Sequence, residues 1–207
     1  MNILAIETSV PQASLCLYAG GKVLFTSNWQ AERNHDAHLF PALQQALDYL
    51  PAAESVDYIL VGAGPGSYGG VRVALAAGVG IATVTNACLV AVESWAQLAA
   101  DDACVVADAR RGGWTVRYPD GRIEVLSPEA LRLLPNALFT VEAPGVLEGK
   151  GINNVHKAGL VPTAEGLVNT WLNMGEDERN MLAEKPAEPI YVRPPHITAA
   201  ARKPWEI

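Results

Sequence analysis

The same order of segments occurs twice along this chain, and that repetition restricts the fold more than any single motif. Asn2 to Ser9 is an apolar run closing on Glu7-Thr8-Ser9, after which two β-rich runs, Ala13 to Ala19 and Lys22 to Ser27, meet at Gly20-Gly21. Cys104 to Asp108 is again an apolar run closing on an acid, and Trp114 to Tyr118 and Arg122 to Leu126 meet at Pro119-Asp120-Gly121. Short apolar runs bounded by turn residues read as strands, and a glycine turn between two of them reads as a hairpin. A supersecondary unit present twice implies two related α/β lobes. The expected division is 1–102 for the first lobe and 103–207 for a smaller second lobe with a tail.

Between the two copies lies the most unusual stretch, VGAGPGSYGGVRVALAAGVGIATV at 61–84. The apolar strand Tyr58 to Val61 runs into the glycine turn Gly62 to Gly70, and a helix is expected from about Val71. Glycines leave the backbone unshielded, so another group can approach it closely. Val71, Ala74, Leu75, Gly78 and Ala82 share one helical face, and small residues four apart let a second helix pack at short range. Leu39, Leu43, Leu47 and Leu50 repeat at helical spacing over Asp36 to Leu50, with Pro41 early in that segment. These two faces are the expected docking surface for another helical protein. Further along, Leu89 to Val92 and Ala137 to Val141 read as strands, Glu93 to Ala100 and the segment from Ser127-Pro128 as short helices. Thr163 caps a helix expected to stop at Gly175, and the proline-studded chain from Glu176 is expected to be extended, docked through Ile190-Tyr191-Val192.

The chemistry-bearing motifs are incomplete. Gly64, Gly66 and Gly69 match G-x-G-x-x-G, but Pro65 interrupts the pattern and Glu93 comes late for the acid that a dinucleotide fold places on the ribose. A phosphate-binding P-loop needs lysine after Gly69, where Gly70 and Val71 stand. A nucleophile elbow around Ser67 needs glycine at 65. His35 and His38 sit one turn apart without a third metal ligand, and an exposed polar helix start explains them better. Glu7, Thr8 and Ser9 close a buried strand where phosphotransferase-like folds hold metal or water, so with Gly64, Gly66 and Ser67 they outline a degenerate nucleotide pocket. Asp108, Arg110 and Arg111 raise the same choice in the second copy, and an ion-paired loop is the simpler reading.

Half the residues are hydrophobic, and no uninterrupted apolar run reaches membrane-spanning length. Three cysteines in apolar runs read as buried thiols, and MNILAIETS starts directly in a strand pattern, so the expectation is a cytoplasmic protein without disulfides. A net charge of −7 argues against broad contact with a phosphate backbone, so any nucleic-acid role would pass through a more basic partner.

ILAIETS at 3–9, NHDAHLFPAL at 34–43, GAGPGSYGGVRVALAAGVGIA at 62–82, VADARRGG at 106–113 and PIYVRPP at 189–195 together resemble the bacterial TsaB family, also called YeaZ. The resemblance implies a two-lobed actin-like (ASKHA, ribonuclease H-like) fold, and the residues of this chain read as a truncated second lobe within it. It implies a non-catalytic paralogue of TsaD, the transferase that places the threonylcarbamoyl group on adenosine 37 of tRNA. It further implies a helical-bundle heterodimer with a TsaD-like partner and a TsaE-like ATPase joining them, with tRNA met only indirectly. The self-complementary composition of the helix faces also allows a homodimer when the chain is alone. No cofactor of its own is implied, ATP and metal belonging to the partner subunits. On this chain the pairing helices would be 36–50 and 70–84, carrying Leu39, Leu43, Leu47, Val71, Ala74, Leu75, Gly78 and Ala82. The family usually has Asp where Glu7 stands and Thr where Gly69 stands, and lacks the second histidine, His38. The competing readings are an ATP-binding or ATP-hydrolysing enzyme of the same fold, kinase- or glycoprotease-like, and a homodimeric binding module.

Overall fold

A computed structural model describes residues 1–31, 36–51, 54–99 and 102–192. His35 and the tail beyond Val192 lie outside the described residues. The first sheet is built from β1 (Ile3–Glu7), β2 (Gln12–Ala19), β3 (Lys22–Gln30), β4 (Tyr58–Gly62) and β5 (Cys88–Val92), in the order β3-β2-β1-β4-β5. The second holds β6 (Cys104–Asp108), β7 (Trp114–Arg117), β8 (Ile123–Leu126), β9 (Leu138–Thr140) and β10 (Val155–Lys157), in the order β10-β9-β6-β7-β8. Read from opposite ends the two orders are the same. In each, the first strand pairs antiparallel with the second and parallel with the fourth. The repeat legible in the sequence is therefore a repeat of topology.

Even the turn after the first strand is copied. The Ser9 amide donates to Glu7 Oε1 at 2.7 Å, and the Arg110 amide donates to Asp108 Oδ1 at 2.7 Å. A strand-end carboxylate that accepts the amide two residues on stabilises a tight exit, which explains the acid in both copies.

Helices cover the first sheet on both faces. Residues of β1 alternate: Leu4 and Ile6 face α1 (Asp36–Asp48) and α2 (Tyr68–Thr85), whereas Ile3 and Ala5 face α4 (Ala164–Asn173). Both faces being covered explains why β1 reads as a continuous apolar run. Trp171 of α4 is buried against that second face, with Tyr58 beside it at 5.1 Å between rings. Residues 164–173, which the sequence division assigns to the second lobe, thus complete the core of the first sheet. Their partners on β1, β2 and β4 are too distant in sequence for periodicity to reveal.

The second sheet is thinly covered. α3 (Pro128–Arg132), capped by the Ser127 hydroxyl, packs Leu131 on one face with Leu147 and Ile152, and Trp95 lies on the other. The helix expected over 93–100 shortens to a single 3-10 turn at Ala96–Leu98, because Trp95 is drawn into that core. The extended tail expected from Glu176 begins instead as α5 (Glu176–Ala183). Glu176, Asp177 and Glu178 fill its first turn, where acids oppose the helix dipole, and Leu182 and Ala183 pack on the α4 side of the first sheet. Gly175, expected to end the preceding helix, is the N-cap of this one.

Candidate functional site

α2 is the element on which the expected site residues converge, and its start is fixed by the glycine turn. The Ser67 hydroxyl accepts the Gly70 amide as N-cap, and the Ser67 amide donates to the Ser9 carbonyl at 2.6 Å. Thr8 Oγ1 donates to the Gly70 carbonyl at 2.7 Å. The turn is thereby laced to the end of β1, and the glycines permit it. A Cβ on Gly66 would overlap the Ser9 carbonyl, one on Gly70 the Thr8 carbonyl, and one on Gly62 the Glu7 carboxyl.

Glu7, Thr8 and Ser9 are consequently sealed rather than lining an open pocket. Burial pushes the Glu7 carboxyl above its ordinary value, and the polar groups of Ser9, Ser94 and Thr8 offset this only in part. Among the described residues Glu7 Oε2 has no hydrogen-bond partner within bonding geometry. Ser94, at the end of β5, uses its hydroxyl to accept the Gly64 amide at 3.1 Å, and the Ile190 amide donates to the Ala63 carbonyl at 2.8 Å. The actin-like fold implies a nucleotide at this position. The sides of Gly62, Gly66 and Gly70 that face β1 are filled by this chain's own atoms, and Glu7, Thr8 and Ser9 are buried. These strand-end groups are therefore closed to such a ligand, whereas Gly66 and Ser67 stay exposed on the outer side of the turn. Ser67 serves as a helix cap, and Gly64 is buried behind the turn.

The expected docking face is corrected in orientation. Val71, Ala74, Leu75 and Gly78 point into the first sheet, and Ala82 is half-buried beside them. A Cβ on Gly78 would lie 2.7 Å from Leu89 and 2.8 Å from Val61, so this glycine admits the helix to its own sheet rather than to a partner. Leu39 is buried in the same core, and Leu43 and Leu47 are half-buried against it. The smooth faces are smooth because they are inner faces.

The outer face of α2 carries a second stripe at the same spacing, Tyr68, Arg72, Ala76, Gly80 and Val84, all exposed, with Val79 beside it. Val79 is 53% and Val84 80% exposed, and nothing stands within contact of a Cβ at Gly80. Phe40 of α1 and Tyr49, in the turn just after it, are also exposed. Sequence reasoning missed these residues although one signal was present. Of two stripes four residues apart, the one containing Arg72 belongs outside. His38 is exposed, with its ring 6.5 Å from that of Trp29. No cluster of three metal-binding side chains occurs among the described residues. α2 is long and apolar enough to cross a membrane by length and composition, longer than the segment expected from the sequence. Its inner stripe, however, is part of the first sheet's core.

Residues 29–162 match the family model described as TsaD, tRNA N6-adenosine threonylcarbamoyltransferase. The Bacillus subtilis (strain 168) tRNA threonylcarbamoyladenosine biosynthesis protein TsaB is 31% identical over 139 residues. The chain belongs to the TsaB (YeaZ) family, with a TsaD-type domain. That alignment takes in 62% of this chain and 61% of the B. subtilis protein, so it spans less than two thirds of that relative. YeaZ from Pseudomonas aeruginosa superposes with a TM-score of 0.72 at 25% identity, covering 92% of this chain and 99% of that one. A second P. aeruginosa structure, described as an uncharacterized protein with similarity to peptidase YeaZ, gives 0.72 at 26% identity over 93% and 99%. Two sheets of matching topology and these neighbours agree with the actin-like fold that the resemblance implies.

Proposed function

We propose that this chain is a non-catalytic accessory subunit in threonylcarbamoylation of adenosine 37 of tRNA, docking a TsaD-like transferase and supporting its active form. The single observation that carries this reading is the outer face of α2. Ala76 and Gly80 are exposed alongside Val79 and Val84, and Phe40 of α1 and Tyr49 just after it are exposed as well. A small-residue groove flanked by exposed apolar side chains suits close packing of a partner helix. The docking surface is thus the face opposite the one read from periodicity. Supporting it, the end of β1 that would hold phosphates is buried, and the B. subtilis relative is described as a tRNA threonylcarbamoyladenosine biosynthesis protein.

In this reading ATP and metal belong to the TsaD-like and TsaE-like partners, tRNA is reached through them, and the outer faces of α1 and α2 pair two copies when no partner is present. Residues 1–102 with α4 form the docking lobe.

The test is an omit-one reconstitution with the same organism's TsaD-like and TsaE-like proteins, a threonylcarbamoyl-adenylate source and tRNA. Modification should require this chain and survive Glu7→Gln. Equal modification without it would overturn the accessory role, and loss of modification by a folded Glu7→Gln variant would favour an enzyme that uses the strand-end acid.

A further inference from the structure

Past α5, residues 187–191 stay packed on the first sheet's side of the molecule. Ala187 packs against the core shared by α1 and α2, and the Ile190 amide donates to the Ala63 carbonyl at 2.8 Å. The Ile190 carbonyl lies against Gly64, and the Tyr191 ring stacks on Tyr68 with centroids 5.0 Å apart. Residues 187–191 therefore form a strap across the glycine turn that ends on the first residue of α2.

Tyr68 is the first residue of the exposed stripe, and the Arg72 guanidinium sits over its ring at 5.2 Å. Tyr68 is 47% exposed and Tyr191 42%. Two stacked tyrosines and an arginine, each left partly in water, have the composition of residues that dominate binding at protein interfaces. A strap pinned by a backbone hydrogen bond presents its ring already ordered, which lowers the conformational cost of binding.

Resting on the docking reading above, we infer that Ile190 and Tyr191 complete the partner surface. The strap lengthens the α2 stripe by one aromatic residue contributed from the far end of the chain, and its occupant is the TsaD-like transferase. Tyr191 supplies contact area at the N-terminal end of the stripe, and the Ile190 amide holds it there.

The experiment is titration of the same organism's TsaD-like protein with the full-length chain and its variants, after circular dichroism has shown each to be folded. Tyr191→Ala should weaken the complex about tenfold, as loss of an interface aromatic does, and Tyr191→Phe by less than twofold. Ile190→Pro, which removes the pinning N–H, should weaken it in the same direction. Val79→Asp, at the centre of the stripe, should abolish binding. If Val79→Asp abolishes binding while Tyr191→Ala and Ile190→Pro change it by less than twofold, the strap is not part of the surface and the docking reading stands. If Val79→Asp leaves binding intact, the docking reading itself is overturned, and the strap inference with it.

Discussion

Glu7 shows at the scale of one residue what the sequence could and could not say. An acid closing an apolar strand was legible as a special position, and its counterpart Asp108 makes the same bond to the amide two residues on. Its burial was not legible, because the atoms that cover it come from Gly62 and the turn beyond β4. That burial has a measurable consequence. Free carboxyls of this kind titrate near 4.5, and burial raises Glu7 above this in the folded protein. As pH rises from about 4.5 through the raised value, the folded form holds a proton that the unfolded chain has already released, so stability falls across this window. Glu7→Gln removes the titration while keeping an oxygen to accept the Ser9 amide. The variant should melt above wild type at pH 8, and the difference should shrink towards pH 4. Parallel melting curves for the two proteins from pH 4 to 8 would show that Glu7 is not the group responsible.

α2 shows at the scale of an element that periodicity finds a helix more readily than it orients one. Its small-residue character was plain, but two stripes share it, and the all-apolar one is the face that the sheet claims. The consequence is that Gly78→Leu, an obvious variant for blocking a partner, would instead drive side-chain atoms into Leu89 and Val61. The glycines of the first turn divide in the same way. Gly70 lies against the Thr8 carbonyl and has no room for a methyl group, whereas nothing stands within contact of a Cβ at Gly69. Gly70→Ala should therefore destabilise by about 1–3 kcal/mol, the usual cost of overpacking. Gly69→Ala, at a helical position in open space, should stabilise by about 0.5–1 kcal/mol. Urea titration of the two variants reads both signs, and equal effects would mean that the turn is not packed on β1 as described.

At the scale of the molecule, the repeat predicted that the two lobes are related, each with an apolar strand and a hairpin, but not the strand orders or how the chain distributes its helices between the sheets. α4 closes the first sheet's second face through Trp171, while the second sheet is covered by α3 and short 3-10 turns at Glu148–Lys150 and Ala96–Leu98. The two sheets are tied near the end of β5, where Glu93 pairs with Arg117 of β7. Both side chains are mostly buried, and burial raises the Glu93 carboxyl even though Arg117 pulls it down. Removing only the arginine leaves that carboxyl buried without its partner, which is costlier than removing both charges. Arg117→Met takes away the influence that lowers Glu93, so its folded value rises further above 4.5. The loss of stability should then be slight near pH 4.5 and grow as pH rises, reaching about 3 kcal/mol where Glu93 would be forced to ionise. Adding Glu93→Gln to Arg117→Met should recover most of that loss and flatten its pH dependence. Chemical denaturation of the wild type, the single variant and the double variant at pH 5 and pH 8 decides the matter. If the double variant is no more stable than Arg117→Met at pH 8, the junction between the sheets rests on packing around Trp95 and Val105 rather than on this ion pair.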